Sequence, residues 1–416
     1  MLTTDSPPEE TSDLAGEGAV VANLIDEIVR DCTLLPAGQQ PTWDDIALVR
    51  RVRASLAVTP GLVRGKDVAE LRRQLAAAAT GEAVVVQAGD CAESFAESLP
   101  GHVARKAALL DILAGELKMI THRPVIRAAR IAGQYAKPRS RPTERVGGHE
   151  LPVYRGHMVN GPEPDPLARR PDPRRMLAGY RAARAVVGHL GWPDADDSGV
   201  RRTIDPAVWT SHEALLLDYE LPMLRGHEGR PFLASTHWPW IGERTRDPAG
   251  AHVALLSRVA NPVACKVGPR MTTDELLTLC ELLDPAHERG RLTLIARMGH
   301  EAVAEKLPPL VAATVAAGHP VLWLTDPMHG NTVTVPGGHK TRLVHTVVRE
   351  VRLFHEAVRS AGGVAGGLHL ETTPDDVTEC VPDAERLHDA GRAYTSLCDP
   401  RLNPSQAVAV ISAWRG

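Results

Sequence analysis

Arg130, Lys137, Arg139, Arg244, Lys266 and Arg297 fall at or just beyond the ends of short apolar runs in this sequence. Only seven of its 47 Lys and Arg residues are lysine, so Lys266, inside the apolar stretch PVACKVGP, is conspicuous. An unpaired ammonium in such a run is costly. Cations that converge on one cavity must meet anions or repel each other. Arginine forks suit phosphate and carboxylate, and lysine supplies a point charge. Two phosphorylated substrates, one also a carboxylate, bring roughly five negative charges at about 1.5–2 per phosphate. That is the right order to balance six cations. The competing reading is surface ion pairing, which is the usual fate of an arginine.

Cys91, His329, Glu371 and Asp399 form a second set. A thiolate, an imidazole and two carboxylates suit Mn²⁺, Fe²⁺, Co²⁺ or Zn²⁺ better than Mg²⁺ or Ca²⁺. Such an ion could polarise a carbonyl oxygen. Their spacing carries little information, and a lone Cys or His is more often a core residue. Asp90, Glu93, His212, Glu213, Glu243, Asp326, His369 and Arg401 occupy comparable positions. No GxSxG, HExxH or GxxxxGK[ST] motif is present. Trp238 and Trp240 read as barrel-mouth packing or as a cavity wall, with packing the simpler role.

These groups need a frame that gathers strand ends. Eight β-rich runs recur: Ala83–Gln87, Val125–Ile131, Val208–Ser211, Pro231–Thr236, Pro262–Val267, Leu292–Arg297, Pro320–Thr325 and Gly366–Leu370. Most are followed by a helical stretch, and Val208–Ser211 is the weakest of them. Continuous apolar runs alternating with helices indicate a parallel sheet buried on both faces. Eight of them predict an α/β fold, a (β/α)8 TIM barrel, whose active sites lie at the C-terminal strand ends. Upstream, three helices are predicted at Ala19–Cys32, Thr42–Ala57 and Asp67–Ala79. The expected organisation is a disordered acidic tail over 1–18, an N-terminal helical extension over 19–80 and a catalytic barrel over 81–416. Gly191–Arg202 and Thr332–Gly338 read as loops.

Composition narrows the class further. The 416 residues are 43% hydrophobic, with a formal net charge of −4. That balance gives no electrostatic reason to expect nucleic acid or a membrane surface as partner. No run of 18 apolar residues exists, and the acidic, Pro-rich start does not read as a signal peptide. Six dispersed cysteines without a CxxC pair predict free thiols and a reducing, cytoplasmic setting.

The strand-end blocks carry a resemblance. They are QQPTW at 39–43, QAGDCAESF at 87–95, RIAGQYAKPRS at 130–140 and YRGHMVNG at 154–161. TSHEALLLDYE at 210–220, WIGERTRDPAGAH at 240–252 and ANPVACKVGP at 260–269 follow. RMGH at 297–300, DPMHGNT at 326–332, VTECVP and CDPRLN complete the series. Together they resemble class II (plant-type) 3-deoxy-D-arabino-heptulosonate 7-phosphate (DAHP) synthase over about residues 39–404. The resemblance implies that phosphoenolpyruvate condenses with erythrose 4-phosphate, the first step of the shikimate pathway. It implies Cys91, His329, Glu371 and Asp399 as ligands of a divalent metal, Mn²⁺ or Co²⁺. It implies phosphoenolpyruvate contacts at Arg130, Glu243, Arg244, Lys266 and Arg297. Lys137, Pro138, Arg139 and Ser140 are implied for the aldehyde and its phosphate. Arg130, Lys137, Lys266 and His329 are the implied catalytic residues, and a homo-oligomer, dimer or tetramer, is the implied assembly.

The sequence also departs from that family's pattern. His157 replaces the acidic residue of YRGD, Ala88 replaces a glycine, and His300 replaces an asparagine. His157 therefore points to a retuned aldehyde site, against the bland reading that it packs in a loop. The stretch between Tyr180 and Ser211 is short, as in members that lack a helical regulatory insertion and serve secondary metabolism. Two alternatives remain at this point: an enzyme for an amino-aldose phosphate, and a catalytically silent homologue that regulates a partner enzyme.

Overall fold

The computed structural model describes residues 10–414 except 147, 196, 198 and 337, with backbone alone for 10–17. Eight parallel strands close into a barrel. They are β1 (Val84–Gly89), β2 (Val125–Arg130), β3 (Val208–Glu213), β4 (Trp238–Ile241), β5 (Val263–Val267), β6 (Leu292–Ala296), β7 (Leu322–Thr325) and β8 (Val364–Glu371). They follow one another around the ring, and β8 pairs with β1 to close it. The expected (β/α)8 barrel is the fold found.

Seven of the eight predicted runs became barrel strands, including the weak third one. The fourth did not. Arg230–Leu233 pairs antiparallel with Leu224–His227 outside the barrel, and the barrel strand is the WPWI stretch downstream. The cause lies in the HEGR sequence. Glu228 and Gly229 both have positive φ, 47° and 72°, as a two-residue hairpin turn requires. The hairpin takes the apolar PFL segment, so Trp238 and Trp240 lie within a strand rather than beyond one. Part of the predicted Thr332–Gly338 loop is likewise a hairpin strand, Thr332–Thr334, paired with Lys340–Arg342.

Three helices precede the barrel: α1 (Glu10–Leu34), α2 (Ile46–Ala57) and α3 (Gly65–Ala79). Helix α1 begins nine residues before the predicted Ala19, inside the stretch read as a tail; residues 1–9 lie outside the described residues. Helix α2 starts later than predicted, where Asp45 caps it by accepting the Leu48 amide at 2.8 Å. The outer ring comprises α4 (Pro100–Thr121), α5 (Arg174–His189), α6 (Ala251–Ser257), α7 (Thr273–Leu283), α8 (Val303–Ala316), α9 (Val344–Ser360) and α10 (Pro404–Ile411). Helix α9 shows why these helices dock. Val347, Val351, Phe354 and Val358 recur at three- and four-residue spacing and are fully buried. All six cysteines are free. Among the described residues no helix is long and apolar enough to cross a membrane.

Candidate active site

The C-terminal ends of the strands open into a cavity of about 500 Å³. Its wall includes all six cations singled out from the sequence, together with Pro138, Ser140 and Glu243. His329 and Asp399 also face it. Cys91 and Glu371, fully buried, lie beside Asp399. Residues between 91 and 399 thus meet in one place.

Strand periodicity explains the deepest groups. His369 and Glu371 are two residues apart on β8, so both project to the same face, into the barrel. His369 Nε2 is 2.7 Å from Arg130 NH1, and its Nδ1 is 2.6 Å from Gln87 Oε1. Gln87 Nε2 donates to Ser211 Oγ at 2.7 Å, and Ser211 Oγ donates to the Trp238 carbonyl at 2.6 Å. The direction of this chain is fixed at both ends. Arginine can only donate, and the serine proton is already committed to a carbonyl. His369 is therefore the neutral Nδ1–H tautomer, and it accepts from Arg130. Burial, reinforced by Lys266 and Arg130, holds its pKa well below the ordinary imidazole range.

Arg130 also donates to Glu371 Oε1 at 3.1 Å, and Trp240 covers it at 5.5 Å from the ring centroid. Lys266 Nζ is 2.5 Å from Asp326 Oδ2 and 5.1 Å from the same indole centroid. Trp240 is thus a cavity wall shared by two cations. Burial lowers the Lys266 pKa to about 8; Asp326 opposes that shift and Arg130 adds to it. Asp326 also contacts His329 Nδ1 at 2.7 Å, so one carboxylate joins the phosphate-type lysine to the metal-type histidine. It was noticed in the sequence as a strand-end acid, and no spacing rule gives it that role.

The donor atoms of Cys91, Glu371 and Asp399 all lie within 4.8 Å of one another. His329 stands at their edge, its Nε2 3.3 Å from Glu371 Oε1. Lys137 Nζ lies among them, 2.8 Å from Cys91 Sγ, 3.0 Å from Asp399 Oδ2 and 3.7 Å from Glu371 Oε1. Burial raises the Cys91 thiol pKa well above its ordinary value, and the Glu371 charge adds to that. A thiol, two carboxylates and an imidazole gathered around a cation fit a borderline divalent metal by donor chemistry.

Lys137 thus turns inward toward the ligand group, while the next three residues form part of the rim. Arg139 NH2 meets Glu144 at 3.1 Å, and Arg244 NH2 donates to Ser140 Oγ at 2.6 Å. This loop is anchored by Glu93, whose carboxylate accepts the backbone amides of Ala132, Gly133 and Gln134 at 2.7–3.0 Å. Glu243 lies between Arg246 at 3.2 Å and Arg297 at 3.9 Å.

Sequence reasoning missed Arg342 and Lys340. Arg342 is fully buried, 2.8 Å from Glu371 Oε2. Lys340 Nζ is 2.8 Å from Asp399 Oδ1 at the rim. The scarcity of lysine could have flagged Lys340; nothing local marks Arg342. Of its two readings, His157 takes the one that packs away from the cavity. It lies outside the cavity wall, edge-on to Phe95 and hydrogen-bonded to the Tyr154 hydroxyl.

Fold and site together define a TIM-barrel enzyme whose cavity pairs a cluster of cations with a candidate metal centre. The chain matches the class-II DAHP synthetase family over residues 29–191 and 189–413, and it belongs to that family. It is 56% identical over 94% of its length, and 98% of the other chain, to a Pseudomonas fluorescens protein named as a probable phospho-2-dehydro-3-deoxyheptonate aldolase. It is 41% identical to the phospho-2-dehydro-3-deoxyheptonate aldolase of Streptomyces coelicolor, over 90% of this chain and 93% of that one. The protein of that name from Mycolicibacterium smegmatis is 38% identical, over 90% of each chain.

Proposed function

We propose that this chain acts as a DAHP synthase, taking the first step of the shikimate pathway. C3 of phosphoenolpyruvate attacks the aldehyde carbon of erythrose 4-phosphate, water adds at C2, and inorganic phosphate leaves. One observation carries the reading: six cations and a thiol–carboxylate–imidazole cluster face or border one cavity. Arg130, Glu243, Arg244, Lys266 and Arg297 hold phosphoenolpyruvate. Lys137, Pro138, Arg139 and Ser140 receive the aldehyde and its phosphate. Arg130 and Lys266, backed by Trp240, neutralise the anion where water is scarce and charge is worth most.

Cys91, His329, Glu371 and Asp399 would hold a divalent ion, Mn²⁺ or Co²⁺. When bound it supplies Lewis acidity toward the aldehyde carbonyl. The short segment between Tyr180 and Ser211 supports a role in secondary metabolism. His157 lies outside the cavity wall, so the departure that raised an amino-aldose phosphate does not itself face the site.

The test is loss of phosphoenolpyruvate absorbance with each aldehyde in turn, with Mn²⁺ or Co²⁺ and after chelation. Turnover with erythrose 4-phosphate, lost on chelation and restored by metal, is expected. A metal-free preparation with full activity would overturn the metal assignment. No turnover with either aldehyde would favour the silent homologue.

A further inference from the structure

At the opposite end of the barrel, helix α7 runs into the turn before β6, beside the turn before β7. Glu281 on α7, His287 in the first turn and His319 in the second place their donor atoms within 4.8 Å of one another. His319 Nε2 is 3.2 Å and His287 Nε2 3.8 Å from Glu281 Oε1. The two imidazoles are stacked, their centroids 4.2 Å apart.

Three features separate this cluster from an ordinary surface ion pair. The His319 side chain is fully buried, yet neither of its ring nitrogens has a hydrogen-bond partner. Its approach to Glu281 is close without being aligned for a hydrogen bond. Nε2 has only that carboxylate contact and Nδ1 has no partner, so burying this imidazole loses hydration that is poorly repaid. Next, His287 Nδ1 lies 3.1 Å from the Gly318 carbonyl. A carbonyl can only accept, so Nδ1 carries a proton and Nε2 is the ring nitrogen turned toward the cluster. Metal-ligating histidines are commonly fixed in this way. Last, Asp284, where α7 ends, has a buried Oδ2 without a partner, a further oxygen on the same turn. His287 itself has a left-handed φ of 50°, which is sparsely populated for a non-glycine residue.

We propose that Glu281, His287 and His319 form a second divalent-metal site, separate from the catalytic cavity, for a borderline ion such as Zn²⁺. Two imidazoles and a carboxylate are the donor set such an ion takes. His287 and Glu281 are partly exposed, so they can adjust while the buried His319 stays fixed. The ion would clamp the α7–β6 turn to the α8–β7 turn. Its role is structural, because it lies at the strand N-termini, where this fold builds stability rather than chemistry.

Equilibrium dialysis of the untagged full chain against Zn²⁺ tests this. The comparison is with Glu281→Gln/His287→Gln, which alters exposed groups and spares the buried histidine. In a Cys91→Ala background, which weakens the catalytic centre, one saturable Zn²⁺ equivalent is expected to remain. The double substitution should remove it. Zn²⁺ should raise the melting temperature of Cys91→Ala and not of the triple variant. With Cys91 intact, the double variant should keep the wild-type kcat/KM. Equal Zn²⁺ uptake with and without the double substitution would overturn the site. So would uptake that never saturates.

Discussion

Arg130 on the cavity floor is 1% exposed, and two of its nitrogens are fixed by His369 and Glu371. Arg244 at the rim is exposed and reaches across to the Ser140 hydroxyl. Both carry one guanidinium, and both face the same cavity. On the floor, each charge is held by partners inside the barrel, and directed hydrogen bonds settle where it points. At the rim, charges sit on loops and water screens them. The floor can therefore meet an anion without reorganising, which is where electrostatic catalysis gains most. The rim can adapt to a substrate at lower gain per charge.

The largest effect should come from the floor. Lys266→Ala removes a buried cation and leaves Asp326 with one partner fewer. Leaving a buried charge without its partner costs about 3–5 kcal/mol, and a loss of that size in transition-state stabilisation is roughly two to four orders of magnitude in kcat/KM for phosphoenolpyruvate. Lys266→Arg should fail as well, because a planar fork does not replace a compact ammonium packed against Trp240. Near-normal kinetics of either variant would place Lys266 outside the chemistry.

The same lysine sharpens the comparison through pH. With its pKa lowered to about 8 by burial, it holds a proton below that pH and loses it above. Since kcat/KM reports the free enzyme, its value for phosphoenolpyruvate should fall as pH rises through about 8. A bound phosphate favours the cation, so the alkaline limb of kcat should lie higher. An alkaline limb at the same pH in both profiles would assign it to another group.

A smaller loss is expected one step behind the floor. His369→Phe keeps a ring in the barrel but removes the acceptor for Arg130 NH1. A hydrogen bond to a charged group contributes about 1.5–3 kcal/mol, so kcat/KM for phosphoenolpyruvate should fall roughly ten- to a hundredfold. Gln87→Leu should show a weaker version of the same loss, because it frees the His369 tautomer. If His369→Phe costs nothing, Glu371 alone positions Arg130. At the rim, Arg139→Ala should raise KM for the aldehyde phosphate by about 1 kcal/mol or less, as for other partly exposed charges. A kcat effect as large as that of Lys266→Ala would erase the distinction between floor and rim.

What the sequence disclosed follows this division. Lys266 stood out because a charge in an apolar β-run must be paired or functional, and Arg130 only as one of six strand-end cations. Cys91, His329, Glu371 and Asp399 could be grouped by donor type, but their proximity depends on strand order around a closed ring, which no local pattern encodes. The chain from Ser211 through Gln87 to His369 links three strands, β3, β1 and β8, and becomes visible only in cross-section. Arg342 lies on a hairpin strand in a stretch whose beginning read as loop, and its partner is 29 positions away at Glu371. The misplaced fourth strand has the same origin. PFLAST and WPWI are both apolar, and the HEGR turn decides which of them joins the barrel.

The smallest effect is expected from His157, and the geometry gives the reason. In the sequence it replaces an acidic residue next to the block implied for the aldehyde, which left open either a retuned substrate site or simple packing in a loop. In the structure it lies outside the cavity wall, its Nδ1 bonded to the Tyr154 hydroxyl and its ring 5.2 Å from Phe95. Burial lowers its pKa to about 4, with Arg175 adding to the shift. It is therefore neutral at neutral pH, and its Nδ1 shares one hydrogen bond with the tyrosine hydroxyl. A carboxylate there could accept the tyrosine proton and would lie near Arg175, so His157→Asp still leaves the Tyr154 hydroxyl with a partner. The expected outcome is a KM for phosphoenolpyruvate and a kcat/KM for erythrose 4-phosphate within about twofold of wild type, under about 0.5 kcal/mol. The preference ratio between erythrose 4-phosphate and its amino analogue should not move. A shift of that ratio by tenfold or more would mean that the Phe95–Tyr154 packing transmits to the Lys137–Ser140 loop, and the rim would then be tuned from behind as the floor is.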